Sequence, residues 1–296
     1  ATLNRLDQAA KQGLFNEETE FYSFQKEDSQ IMNYYNRAIF LPTLPLVKGP
    51  LLVPRDWAQV EREWLGEDVT HNANPGIVVV DNLLSPQTLK RVQDYLLLST
   101  FWYEAKLPRY GHYLGAYLND GMYDSMMTEI AFELHKVMPR VMNNHHLKEM
   151  WSYKYESSFH DDEERMGIHV HADDAMVNVN LWITPDEANL DPNSGGLVIY
   201  TVKPPREWSF SNFNSNWEYI DQHLLRPSGY DNVTIPYKQN RVVIFDSFLF
   251  HKSDKIKFKQ GYENRRMNLT FLYGKKQSVE TSEGSSTSNT ERKNEM

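Results

Sequence analysis

Apolar positions along this 296-residue chain follow one period before about residue 150 and another after it. In the first half, Leu89, Val92, Leu96 and Leu97 recur at helical spacing behind Ser85-Pro86, a hydroxyl cap followed by proline at the first helical position. Met126, Ile130, Phe132, Leu134 and Val137 predict a second amphipathic helix over 122–138, stopped by Pro139. A shorter helix is expected over 56–65, and the β-branched run Ile77–Val80 reads as a buried strand. Prolines 43, 45, 50 and 54 forbid a continuous helix across 38–56 and favour an extended segment lying over a surface. Residues 1–37 read as a helical or irregular arm.

After residue 150, short strand-like runs alternate with turn clusters: 151–156, 167–172, 175–184, 196–202, 232–237, 241–250 and 266–273. That texture marks an all-β sandwich or barrel. Gly195-Gly196 closes a turn that lets the chain reverse sharply. The insertion 204–230 is rich in Asn, Ser and Trp, and loops of this length are often lids. Its Trp208 and Trp217 either cover a ligand or pin a long connection. From Gln277 onward there is almost nothing to bury, so a disordered tail is expected over 275–296.

Composition narrows the function classes. The net charge is −9 with no basic block, so a nucleic-acid partner is not expected. The absence of cysteine excludes disulfides, thiolate nucleophiles and iron–sulfur clusters. No apolar run approaches the 18–20 residues of a membrane span, and no charged-then-apolar leader opens the chain. A soluble, cytoplasmic protein without a membrane partner is the expectation.

Candidate chemistry sits in "GIHVHADDA", 167–175. Strand alternation places His169, His171 and Asp173 on one face. Imidazole and carboxylate two residues apart can both reach one ion. His251, at the end of the apolar run 241–250, supplies a third ligand from a distant segment. Two His and one carboxylate on one face of a metal leave three positions open, the arrangement of non-haem Fe(II) oxygenases. In 266–273, Arg266, Asn268 and Thr270 share one face and Met267, Leu269 and Phe271 the other. An inward Arg266 suits a bound carboxylate, and Arg265 has the opposite parity. Asn178 and Asn180 share a face with Trp182. His169 reads as core or as a support to the ligands, and His145-His146 as a solvated turn.

The order His171-x-Asp173, Gly195-Gly196-Leu197, His251 behind a hydrophobic strand and Arg266-x-Asn268 resembles the Fe(II)/2-oxoglutarate-dependent oxygenase superfamily, and within it the prolyl 4-hydroxylase-like branch. The stretch "VVVDNLLSPQTLKRVQDYLLLSTFW" is similar to that branch's lead-in, and the resemblance spans roughly 77–274. It implies an α+β, mainly β fold: a double-stranded β-helix (jelly-roll, cupin-like) barrel with helices packed on one sheet. The implied organisation is an arm over 1–55 and an oxygenase domain over 56–274, with a helical lead-in to 149 and a barrel core from 150. His171, Asp173 and His251 would hold Fe(II). Arg266 would bind the distal carboxylate of 2-oxoglutarate, with Asn268, Tyr155 and Asn180 around the cosubstrate. The implied reaction hydroxylates a peptide (prolyl or other) or a small molecule, releasing succinate and CO2, with ascorbate as a reductant. Arg266 stands where prolyl 4-hydroxylases usually carry lysine, which loosens the prolyl assignment; Lys257 and Lys259 lie closer to His251. Two other classes compete. "HVHADD" approaches the His-x-His-x-Asp-His pattern of zinc hydrolases, with Asp174 where the last His would stand. A non-catalytic binding module could keep the same scaffold. Metal content and succinate release separate all three.

Overall fold

The computed structural model describes residues 24–275, apart from 36, 69, 71–73, 107–112, 156–166, 206 and 215. Residues 276–296 of the expected tail and residues 1–23 of the expected N-terminal arm lie outside the described residues. Among the described residues, ten strands form two antiparallel sheets. The large sheet runs in the order β1 (Ile77–Val80), β8 (Val242–Asp246), β5 (Val177–Trp182), β10 (Arg266–Tyr273), β4 (Leu147–Tyr155), β3 (Tyr113–Tyr117) and β2 (Glu104–Ala105). The small sheet runs β7 (Asn232–Ile235), β6 (Leu197–Tyr200) and β9 (His251–Ser253). Among the described residues, no helix is long and apolar enough to cross a membrane.

Side-chain alternation assigns each face of the large sheet a different partner. Met267, Leu269 and Phe271 of β10 join Val177, Val179 and Leu181 of β5 against the helices Pro86–Leu98 and Ser125–Val137. The opposite face, with Tyr155, Trp182, Val243 and Phe245, meets Leu197, Ile199 and Ile235 of the small sheet. The first helix starts where the sequence indicates, whereas the second, expected from 122, begins at Ser125. Ser85 Oγ accepts from the Thr88 amide, and Asp124 caps the second helix while pairing with buried Arg91 at 2.7 Å.

Several expectations are corrected. Phe132 is 63% exposed, because two residues past Ile130 it falls on the far side of its helix. Val79 is exposed because β1 is an edge strand. The apolar run 241–250 is not one strand: β8 ends at Asp246, a turn follows, and His251 opens β9 in the other sheet. Residues 167–172 form no regular strand, only an antiparallel bridge between His171 and His251. Strands β2 and β3, within the region read as helical, extend the large sheet.

The Gly-Gly turn does more than reverse the chain. Gly195 has φ +84°, which favours glycine. Gly196 is a close approach: a Cβ there would lie 1.9 Å from the Ile235 carbonyl oxygen and 2.7 Å from the Trp182 ring. Gly196→Ala should therefore cost about 3 kcal/mol of stability by denaturant unfolding. A loss well under 1 kcal/mol, roughly the cost of a tolerated core swap, would mean β6 and β7 part freely there.

Candidate metal centre

The centre is built where the 167–173 segment runs antiparallel to β9. Ser253 donates its amide to Ile168 O at 3.0 Å, and His171 and His251 exchange both backbone hydrogen bonds, at 3.0 and 2.8 Å. Directly opposed residues of an antiparallel pair project their side chains together. Here the two imidazole centroids are 4.3 Å apart. Asp173 is fixed by its own amide, which donates to Ser247 O at 3.1 Å. Its carboxylate oxygens lie 3.6 Å from His171 Nε2 and 3.5 Å from His251 Nε2. One ligand atom from each of the three residues falls within 4.8 Å of the others.

The donor set suits a divalent cation. His171 Nδ1 lies 2.8 Å from His169 O and His251 Nδ1 3.1 Å from Leu249 O. A carbonyl only accepts, so each Nδ1 carries the proton and each Nε2 keeps its lone pair for the centre. Burial, reinforced by neighbouring His251, pushes the His171 pKa down to about 4, so that imidazole is neutral at physiological pH. The sign follows: as pH falls from the ordinary imidazole range toward 4, the unfolded chain takes up a proton that the folded centre refuses, and stability declines. Burial works to raise the Asp173 pKa, but the neighbouring imidazoles of His251 and His171 and the amide of Asn178 hold it below the usual value. The group is ionised.

Asn178 donates from Nδ2 to Asp173 Oδ2 at 2.8 Å. Because a carboxylate only accepts, this fixes the orientation of the Asn178 amide and restrains the carboxylate. Asn178→Ala should weaken Mn(II) binding by roughly 10–100-fold, the range for outer-shell partners. An unchanged dissociation constant by calorimetry would show that Asp173 is held without it.

His169 does not join the cluster. Its ring stacks on Trp217 at 5.2 Å and 17°, and its carbonyl orients His171. The 204–230 insertion folds into short helices, Phe210–Asn214 and Trp217–Ile220, then a π-turn over Asp221–Leu225. Its two tryptophans divide the expected roles. Trp208 packs on Tyr219 and Phe250, pinning the insertion, whereas Trp217 lines the cavity beside the cluster. Phe213 O accepts from the Ala172 amide, and Asn214 Nδ2 donates to the Ala172 carbonyl, both at 2.9 Å. The insertion thus grips both polar groups between His171 and Asp173.

A cavity of about 700 Å³ contains the cluster at one side and Arg266, Asn268, Tyr155 and Asn180 along its floor. Arg266 is 2% exposed. Its Nε donates to Gly195 O at 2.6 Å, and the guanidinium lies 5.0 Å from the Tyr155 ring, 5.9 Å from Trp182 and 5.8 Å from Tyr237. Burial lowers its pKa, opposed by Tyr155, Tyr237 and Asp254, but a guanidinium stays protonated. Thr270 Oγ1 is shared by Asn268 Nδ2 at 2.9 Å and Asn180 Nδ2 at 3.2 Å. Arg265 turns the other way, over Tyr262, and Lys257 and Lys259 do not line the cavity.

The sequence reading missed the cavity's aromatic wall. Tyr113, Tyr117, Trp151 and Tyr153 line it together with Tyr155. The signal was present as alternation in "YLGAY" and in "EMWSYKY", but the first lay in a region assigned to helices.

No protein-family model matches the chain, and no curated protein matches it in sequence. Solved structures similar in chain path include a prolyl hydroxylase from Trichoplax adhaerens in complex with a hypoxia-inducible-factor peptide, at 13% identity and TM-score 0.46, covering 77% of this chain and 94% of that one. The α-ketoglutarate-dependent carbocyclase SnoK of nogalamycin biosynthesis aligns at 12% identity and TM-score 0.49, over 76% of this chain and 87% of that one. HygX from Streptomyces hygroscopicus, with nickel, 2-oxoglutarate and hygromycin B bound, aligns at 13% identity and TM-score 0.47, over 71% and 85%. At such identities the likeness concerns chain path, and the chemistry of the cavity rests on its own side chains.

Proposed function

We propose that this protein is an Fe(II)- and 2-oxoglutarate-dependent oxygenase that hydroxylates a small molecule or a peptide side chain. The observation that carries the reading is one cavity holding both a two-imidazole, one-carboxylate cluster and a buried guanidinium. Residues 56–274 would form one catalytic domain on a double-stranded β-helix. Four central strands, β8, β5, β10 and β4, would face β7, β6, β9 and the 167–173 segment, which favours that topology over an unrelated sandwich.

His171, Asp173 and His251 would hold the metal through Nε2, a carboxylate oxygen and Nε2. Arg266 would receive the distal carboxylate of 2-oxoglutarate, with Tyr155 and the Asn268–Thr270–Asn180 group bordering it. Bound iron would let dioxygen supply the oxidation, one oxygen atom entering the succinate formed as 2-oxoglutarate loses CO2 and the other entering a substrate C–H that becomes C–OH, with ascorbate as an auxiliary reductant. The chain's own contribution is orientation and exclusion of water. The carbonyls of His169 and Leu249 fix the imidazole tautomers, Asn178 restrains the carboxylate, and Trp217, stacked on His169, lines the cavity beside the cluster. A zinc-hydrolase reading is weaker, because Asp174 is turned to Lys148 at 3.2 Å and stays out of the cluster.

The test is 2-oxoglutarate turnover with Fe(II) and ascorbate against peptide and metabolite panels, followed as succinate. Succinate is expected, with release dependent on iron. A protein that binds no iron and forms no succinate under any condition refutes the reading. Iron binding without succinate would point to the non-catalytic module.

A further inference from the structure

Alternation along β4 sends Glu149, Trp151, Tyr153 and Tyr155 into the cavity as one row, running from an exposed carboxylate to the deeply buried Tyr155. Strand β3 lies beside it with Tyr117 opposite Trp151 and Tyr113 opposite Tyr155. The rings form a continuous wall. Trp151 and Tyr153 stack at 5.9 Å and 27°, Tyr117 and Trp151 lie 6.2 Å apart, and Tyr113 and Tyr153 4.5 Å. The Tyr117 and Tyr153 hydroxyls are 3.1 Å apart, and burial pushes the Tyr153 phenol well above its ordinary pKa, so the wall is uncharged.

Charge at the cavity mouth has one sign to spare. Two lysines reach it and both are engaged. Lys106 pairs with Glu104 at 3.3 Å, and Lys148 with Asp174 at 3.2 Å. Glu149 is exposed and has no ion-pair partner among the described residues. The Lys106 amine also lies 5.5 Å from the Tyr117 ring centroid, so the wall already accepts a cation on its π face. Among the described residues Arg266 is the remaining cation of the lining, and it sits buried against three rings. An anionic ligand would meet Glu149 and Asp174 at the mouth, with no unpaired cation among the described lining residues there to receive it. A ring carrying an amine would stack on the wall and set its charge against Glu149.

We infer that the outer part of this cavity binds a cationic, ring-bearing small molecule, an amine stacked on the β3–β4 aromatic wall and paired with Glu149. Calling that molecule the substrate rests on the oxygenase reading; the binding itself does not. The volume of about 700 Å³ leaves room for such a ring beside the metal cluster and a 2-oxo acid.

Three probes of nearly one shape separate the contributions: benzylammonium, benzyl alcohol and benzoate, titrated at physiological salt and followed by tryptophan fluorescence and calorimetry. Benzylammonium should bind roughly tenfold tighter than benzyl alcohol, from one cation–π contact and one exposed ion pair, with benzoate weakest. Glu149→Gln should bring benzylammonium to the level of the alcohol. Trp151→Ala should weaken all three probes, and Trp151→Phe should restore them. Benzoate binding as tightly as benzylammonium overturns the inference. So does a cation preference that survives both Glu149→Gln and Trp151→Ala, which would mean scattered binding to a chain of net charge −9. Because the readout needs no turnover, benzylammonium binding by a protein that binds no iron and forms no succinate under any condition sinks the oxygenase reading alone, and turnover without cation preference sinks this inference alone.

Discussion

His251→Ala should leave a folded protein that no longer retains Fe(II) or its Mn(II) surrogate. The imidazole is one of the three proposed donors, and with it gone the remaining His171 and Asp173 come from a single short segment. The loss should exceed about 100-fold in dissociation constant, beyond what removal of an outer-shell partner produces. The fold should survive because the pairing of residues 251 and 171 is made by backbone amides and carbonyls, which alanine keeps. His171→Ala should behave alike. His169→Ala is the discriminating control: its contribution to His171 is a carbonyl, also kept in alanine, so metal affinity should be unchanged. Calorimetric titration of Mn(II) under anaerobic conditions reads all three variants. Equal loss in His169→Ala and His171→Ala would show that the ligand set is misassigned.

The second large effect is expected at Arg266. Arg266→Ala should reduce 2-oxoglutarate affinity of the Mn(II)-loaded protein by roughly 100-fold, about the value of a bidentate charge-assisted contact. Metal affinity should stay intact, since the guanidinium touches none of the three donors; its partners are Gly195, Gly196 and the rings of Tyr155, Trp182 and Tyr237. The variant should also melt at a lower temperature, because alanine leaves the Gly195 carbonyl without its donor and a hole beneath three aromatic rings. Arg266→Met, which fills the hole without the charge, separates the two consequences. It should recover part of the melting temperature and none of the cosubstrate binding. Wild-type 2-oxoglutarate affinity in either variant would remove Arg266 from the site.

Parity carried most of what the sequence revealed. The two faces of β10 divide as alternation requires, with Arg266, Asn268 and Thr270 on the cavity and Met267, Leu269 and Phe271 on the helices. The convergence of 167–173 with His251 was legible as chemistry but not as geometry. His251 looks like the end of an apolar run, yet a turn after Asp246 moves it into the other sheet, where it faces His171. No local pattern states which distant backbone a residue will pair with, because that choice is made by packing of both sheets at once. Asn178 was visible only as an inward polar residue. Its role appears when the chain turn at 173–176 brings Asp173 back over it. Gly196 was read for its backbone freedom, whereas its requirement is the missing Cβ against Ile235 and Trp182.

The double grip of Phe213 and Asn214 on the Ala172 peptide has an evolutionary consequence. An insertion hydrogen-bonded to the backbone between His171 and Asp173 cannot be exchanged as a free module. Transplanting a foreign insertion to redirect selectivity would disturb donor spacing unless the carbonyl at 213 and the carboxamide at 214 travel with it. Variation in such a lineage should therefore concentrate on the Trp217 side of the insertion, with the two gripping positions held constant.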